Sequence, residues 1–276
     1  MMEQSRNPYV KEGEGPRLRE SVVAFMDILG YRDMAGNASA AGREAETALL
    51  QRLHSALEYN QKLIKGELTP PKLGLKDSYA VKAFTDNIVI GWPIYRDAES
   101  ELFSAFFNVS FFQFNMVLEE FFIRGGLSIG NLYMDDVAVF GEGLNKAYDA
   151  EARLARDPRI VLESSAEKAI EARMEHYPEL NELCRDSDGK LFVNYLDTTV
   201  LVAEDDNGPF YDDLLKHKEV VERALAKHKS NPMIWIKYAW AANYHNYFCE
   251  QHPNYFNGEH MIDQSRIRLV PRMVKD

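Results

Sequence analysis

Two short apolar runs of β type each end on an aspartate, and this pairing constrains the fold more than any other feature of the chain. The first run is Val22-Val23-Ala24-Phe25-Met26, closed by Asp27 ahead of Ile28-Leu29-Gly30. The second is Val81-Lys82-Ala83-Phe84-Thr85, closed by Asp86 ahead of Asn87-Ile88-Val89-Ile90. Such runs read as strands. An acid at the edge of a buried strand is costly to desolvate unless a cation or hydrogen bonds compensate it. Two of them on neighbouring strands could hold a divalent metal over a phosphate-bearing substrate. The plainer reading is that each serves a turn, since Asp tolerates unusual backbone angles. The case for Asp86 as a ligand depends on Asp27.

The chain has 276 residues, 46% of them hydrophobic, enough for one good core with a helical appendage. Helical and strand patterns mix along it, so an α/β or α+β class is expected, and the order of elements selects α+β. A net charge of −11 leaves no broad basic footprint for nucleic acid. It is compatible with an anionic substrate handled through bound cations, which supply the local positive field. Cys184 and Cys249 are far apart, and neither they nor the seven histidines show a zinc spacing. Two free thiols fit a reducing, cytoplasmic setting. The polar first residues lack the apolar core of a signal peptide. No apolar stretch approaches a membrane span, so no direct membrane contact is expected.

Residues 1–19 read as a flexible arm, 20–202 as the main domain and 203–276 as a helical extension packed on the core or on a dimer. After the strand at 21–27, Ala45, Leu49, Leu53, Leu57 and Ile64 recur at helical spacing. Gly66 and Pro70-Pro71 stop that helix. Residues 79–94 form a hairpin, 100–122 an aromatic-rich buried helix, and 123–133 with 137–140 a second hairpin turning at Asp135-Asp136. A helix over 144–156 and a strand over 159–162 follow. Ser164 with Glu167 has the spacing of a capping box. Residues 191–202 read as a strand, and 211–229 and 233–250 as closing helices. The order fits a split-βαβ, ferredoxin-like core.

These segments, in this order, resemble the catalytic domain of class III nucleotidyl cyclases. Phe25-Met26-Asp27-Ile28-Leu29-Gly30-Tyr31 is similar to that family's first metal motif, Phe-x-Asp-Ile-x-Gly-Phe. Lys82-Ala83-Phe84-Thr85-Asp86 is similar to its second, Lys-x-x-Gly-Asp, with Thr85 for the glycine. Residues 123–130 resemble its Arg-x-Gly-Ile-x-x-Gly strand, 140–147 the segment that carries its helix asparagine, and 158–164 the strand that follows. The resemblance covers roughly residues 20–200, and several motifs in register weigh more than any one alone. It implies two Mn²⁺ or Mg²⁺ ions per site, held by Asp27, Asp86 and the Ile28 carbonyl. It implies phosphate contacts at Gly30 and Tyr31, where backbone N–H groups open a helix, and a ribose or phosphate contact at Asn145. It also implies a homodimer with shared active sites.

The departures from the family pattern carry information too. Its base is read by Lys82 and by a polar residue at the position of Ala138, which has no side-chain hydrogen bond to offer. Its transition-state arginine falls on Asp149, and Arg153, one turn along the same face, could take that role. A cyclase without the purine reader resembles the pyrimidine cyclases of bacterial Pycsar anti-phage systems. That resemblance implies UTP, or CTP, as substrate and a separate effector protein that binds the cyclic product. Lys82 as a cationic donor suits the uracil carbonyl. The alternatives are cyclic CMP synthesis, an adenylate or guanylate cyclase, a catalytically inactive nucleotide sensor and a palm-like dinucleotide synthase. Lys82 could equally face solvent, Asn145 merely start a helix, Arg153 and Arg156 lie solvated, and Arg124 pair with an acid on a neighbouring strand. The aromatic residues from Trp235 to Tyr247 are read as core or dimer packing.

Overall fold

The computed structural model describes residues 7–10, 13, 15–64, 79–95, 98–172, 181–200 and 210–267. Gly66 with Pro70-Pro71, residues 201–202 of the expected strand and the end of the C-terminal extension lie outside them. In chain order the elements are β1 (Arg19–Ile28), α1 (Tyr31–Ala41), α2 (Arg43–Ile64), β2 (Ala80–Phe84), β3 (Asn87–Pro93), α3 (Glu99–Leu118), β4 (Ile123–Met134) and β5 (Val139–Phe140). Then follow α4 (Glu142–Leu154), β6 (Ile160–Leu162), α5 (Ser164–Glu171), β7 (Leu183–Arg185), β8 (Leu191–Val193), a 3-10 turn (Tyr195–Thr199), α6 (Tyr211–His228), α7 (Pro232–Gln251) and α8 (Gln264–Ile267). The chain divides into two compact units, Met1–Asp197 and Thr198–Asp276.

The first unit is built on a sheet of order β2-β3-β1-β4-β6-β8-β7, with β5 paired to β4. The pairs β2·β3, β1·β3 and β1·β4 are all antiparallel. That arrangement is the expected ferredoxin-like core, extended by β6, which runs parallel to β4. Strand β1 is central and buried on both faces, which is why its sequence is a continuous apolar run rather than an alternating one. Val22, Ala24, Met26 and Ile28 face a core built with α2, α3 and α5. Val23 and Phe25 face a second cluster with Leu132, Met134 and Ala147.

On that second face α4 lies unusually close to the strands because glycines leave room for it. A Cβ on Gly126 would stand 2.2 Å from the Ala147 carbonyl, and one on Gly143 would stand 2.8 Å from Val23. Gly141, at φ 149° and against the Asn131 carbonyl, starts the helix. The glycines of the two motifs are thus packing residues of a strand–helix contact.

Several boundaries differ from expectation. Asn7 to Val10 are not a loose arm: Tyr9 is buried, its hydroxyl is 2.8 Å from Ser21 Oγ, and Asn7 Nδ2 donates to the Met134 carbonyl. Helix α3 stops at Leu118, because Phe121 and Phe122 turn inward to enter β4. The cap of α5 is Glu163, which accepts from the Ser165 N–H at 2.8 Å; Ser164 is already helical. Strand β7 was not expected. It pairs with β8 at the end of the sheet, and the turn between them is held by buried Arg159 through Asp186 and Asp188. Past Val193 the expected strand gives way to the 3-10 turn.

In the second unit α6 and α7 pack around an unexpected histidine pair. His217 and His245 are fully buried, their rings stacked 5.1 Å apart, with Nδ1 to Nδ1 at 2.9 Å. His245 Nε2 is 2.8 Å from the His260 carbonyl, which can only accept. The network therefore assigns the proton of His245 to Nε2, and His217 Nδ1 donates to His245 Nδ1. Both rings are neutral, because burial lowers their pKa, to about 4 for His245. An unfolded imidazole titrates near ~6.5, so the unfolded chain binds more protons below that pH. The stabilisation is complete above about pH 6.5 and is lost as pH falls toward 4, an effect of about 3 kcal/mol for His245. Hydrogen exchange, corrected for intrinsic rates, should show the α6 and α7 amides losing protection between pH 7 and pH 4.5. Flat protection over that range would contradict the assignment.

Candidate functional site

The end of β1 meets the turn between β2 and β3. Asp27 is the register partner of Asn87, and the Ile28 N–H donates to the Asp86 carbonyl at 3.1 Å. The two aspartates singled out in the sequence are therefore on neighbouring strand ends. Thr85 holds the left-handed backbone, φ 55°, where the resembling motif has glycine. A β-branched residue there is strained by about 1–2 kcal/mol. Asp86 Oδ1 lies 2.9 Å from Thr85 Oγ1 and 3.2 Å from Asn87 Nδ2, so the turn orients the carboxylate. Gly30, also left-handed at φ 75°, leads into α1 at Tyr31.

Asp27 carries a second feature. Strand β4 places Arg124 directly opposite it. Arg124 Nε donates to Asp27 Oδ2 at 3.0 Å, and Arg124 Nη2 lies 2.8 Å from Glu151 Oε1 on α4. Side-chain exposures of 17% for Asp27, 28% for Arg124 and 5% for Glu151 put the trio at the edge of the core. Glu151 was missed in the sequence. Its signal is its position on the buried stripe of α4 with Ala147 and Ala150, where an acid needs a cation.

Lys82, on the outermost strand β2, reaches the β4–β5 turn that carries Ala138. Lys82 Nζ donates to the carbonyls of Asp135 and Asp136, each at 3.0 Å. Asp135 Oδ1 accepts from the Ala138 N–H at 2.6 Å and from Val137 N–H at 2.9 Å. The Tyr133 hydroxyl, first, and these N–H groups hold the Asp135 carboxyl below its usual range. Lys82 thus ties the turn that presents Ala138.

Asn145 and Arg153 lie on the exposed side of α4, and Arg153 pairs with Asp149 at 3.4 Å. The opposite side of the helix carries Ala147, Ala150 and Glu151. Asn145 and Arg153 therefore do not join the side of α4 that meets Arg124 and Asp27. Arg156 is exposed and pairs with Asp157 at 3.2 Å.

Among the described residues, no three His, Cys, Asp or Glu side chains gather as a metal cluster. Two carboxylates and the Ile28 carbonyl remain as hard oxygen donors on adjoining strand ends, a set suited to Mg²⁺ or Mn²⁺ rather than to zinc. Among the described residues, no helix is long and apolar enough to cross a membrane.

No protein-family model matches this chain, and no curated protein matches it in sequence. Among solved structures it is similar to a class III adenylyl cyclase-like ATP-binding protein from Pseudomonas aeruginosa, at 14% identity and a TM-score of 0.39. The match covers 78% of this chain and 44% of that one, so this chain spans less than half the length of that protein.

Proposed function

We propose that the chain is a pyrimidine nucleotide cyclase that converts UTP to 3′,5′-cyclic UMP and pyrophosphate. The observation that carries this reading is the meeting of Asp27 and Asp86 on neighbouring strand ends of a ferredoxin-like sheet. In the reaction the ribose 3′-oxygen bonds to the α-phosphorus. The bond from that phosphorus to the bridging oxygen breaks, pyrophosphate leaves with the electron pair, and the 3′-hydroxyl proton goes to solvent. Asp27, Asp86 and the Ile28 carbonyl would hold two Mn²⁺ or Mg²⁺ ions, whose charge lowers the 3′-hydroxyl pKa and neutralises the phosphates. Gly30 and the Tyr31 N–H bind phosphate at the start of α1. Holding both reacting atoms in one nucleotide makes positioning a large share of the rate.

Lys82 beside Ala138 favours a base with a carbonyl acceptor and no purine reader, hence UTP, with CTP and cyclic CMP next. An adenylate or guanylate cyclase is a further alternative. Because Asn145 and Arg153 face away from Asp27, they would act on the site of a second copy. This supports a homodimer with shared sites. Exposed Phe140 and Tyr148, at 65% and 52%, are apolar area that such a partner would cover. Arg153→Ala is expected to lower kcat about a hundredfold if the guanidinium stabilises the transition state. An unchanged kcat moves that role elsewhere. By the same resemblance the cyclic product would act on a separate effector in anti-phage defence.

A second reading is a nucleotide-binding module without turnover, favoured by the guanidinium on Asp27 and by Asp149 at the arginine position. Incubation with ATP, GTP, CTP and UTP plus Mn²⁺, with products resolved by mass, separates these readings. A cyclic UMP or cyclic CMP peak supports the pyrimidine cyclase, and cyclic AMP or cyclic GMP rejects the base assignment. No product, with nucleotide binding seen by calorimetry, supports the second reading.

A further inference from the structure

Arg124 is bound by two carboxylates through two different nitrogens. Nε donates a hydrogen bond to Asp27 Oδ2 at 3.0 Å, and Nη2 makes an ion pair with Glu151 Oε1 at 2.8 Å that lacks hydrogen-bond geometry, so Asp27 is the better-made contact in this state. A guanidinium is a permanent cation in proteins. A cation arriving at Asp27 must therefore compete with it, and a guanidinium left in place repels that cation. Most of the surroundings cannot yield. Gly125 sits so close to β1 that a Cβ would stand 2.6 Å from the Phe25 carbonyl, and Gly126 is equally tight against α4. The Arg124 side chain, at 28% exposure, is the part with room to move.

Asp27 and Glu151 supply two negative charges and Arg124 one positive, so the guanidinium alone leaves a net negative charge at the site. A structural ion pair at Asp27 alone would need no Glu151. The second carboxylate, 5% exposed on α4, gives the guanidinium a place to stay once Asp27 is taken.

We propose that Arg124 is a positioning residue that latches Asp27, and that divalent-cation binding at Asp27 transfers the guanidinium to Glu151. This rests on the reading of Asp27 as a metal ligand. The latch keeps the acid oriented without metal and sets a threshold for metal occupancy.

The test is Mn²⁺ affinity without nucleotide, read by electron paramagnetic resonance of free Mn²⁺. The deciding protein is Arg124→Gln/Glu151→Gln, which has the same local net charge as the wild type. Long-range electrostatics alone predicts an unchanged affinity, whereas the latch predicts about tenfold tighter binding, a change of about 1.4 kcal/mol. Glu151→Gln alone removes the second seat and is expected to weaken Mn²⁺ binding about tenfold. Adding Asp27→Asn to the double variant should abolish its gain. If the double variant does not fold, Arg124→Met/Glu151→Met serves, because an ion pair with a buried member is often replaced by apolar residues of similar size without loss. Equal Mn²⁺ affinity in wild type and either double variant, still sensitive to Asp27→Asn, overturns the latch and leaves the metal reading standing. Mn²⁺ binding that is insensitive to Asp27→Asn in every protein overturns both.

Discussion

Asp27→Ala and Asp86→Ala are each expected to reduce cyclic-nucleotide formation at least about a thousandfold, a loss of about 4 kcal/mol of transition-state stabilisation. Each removes one of the two carboxylates, Asp27 and Asp86, that meet at the junction of β1 with the β2–β3 turn. Neither change should unfold the chain. Without Asp27, Arg124 still has Glu151 at 2.8 Å, so no buried acid loses its cation. Without Asp86, the turn keeps its backbone link, since the Ile28 N–H donates to the residue's carbonyl and not to its side chain. The measurement is product by mass with Mn²⁺, beside circular dichroism and size-exclusion profiles. Near-full turnover in either folded variant would sink the assignment of both acids as metal ligands, because neither is expected to suffice alone.

Gly126→Ala is expected to destabilise the first unit by about 3 kcal/mol, at the upper end of what overpacking costs. The added Cβ would lie 2.2 Å from the Ala147 carbonyl, 2.6 Å from Ala150 Cβ and 2.9 Å from the Glu151 N–H nitrogen. Two of these three neighbours are helix backbone, which cannot rotate away as a side chain can. Relief requires α4 to lift from β4. That lift carries Glu151 away from Arg124, so nucleotide and metal binding should fall with stability. For a unit of this size the melting temperature should drop about 6–12 °C. Gly36→Ala in α1 is the matched control, because its Cβ meets nothing within 4 Å. It should raise stability by about 0.5–1 kcal/mol through helix propensity. A Gly126→Ala protein that melts with the wild type would show that α4 does not sit on β4 as closely as described.

The sequence made the elements legible where one physical signal ruled. The run from Val22 to Met26 is apolar throughout because β1 is covered on both faces, and the helical periods of α2 and α4 follow from their single buried stripes. Both key aspartates could be read as strand-end acids, and the order of elements limited the fold to a split βαβ. What the sequence hid was long-range pairing. Glu151 and Arg124 are far apart along the chain, as are Arg159 and Asp188 in the β7–β8 turn. No local period reports such partners. The same holds for Tyr9, an aromatic in a polar segment whose burial depends on Ser21 and on the space above Gly91.

The pattern of apolar runs, turns and glycines by itself determined the α+β class, the strand order's local half and the two acids worth testing, because those depend on neighbours within a few residues. Tertiary structure alone decided which strands lie side by side and which acids hold Arg124: the sequence offered an acid on a neighbouring strand, which is Asp27, but not Glu151 on α4. It also decided that Lys82 ties the turn before Ala138, and that Arg153 lies on the exposed side of α4, paired with Asp149. Those are properties of distance in space, set by how β4 and α4 pack, and charge pairing across that distance leaves no mark on the spacing of residues along the chain.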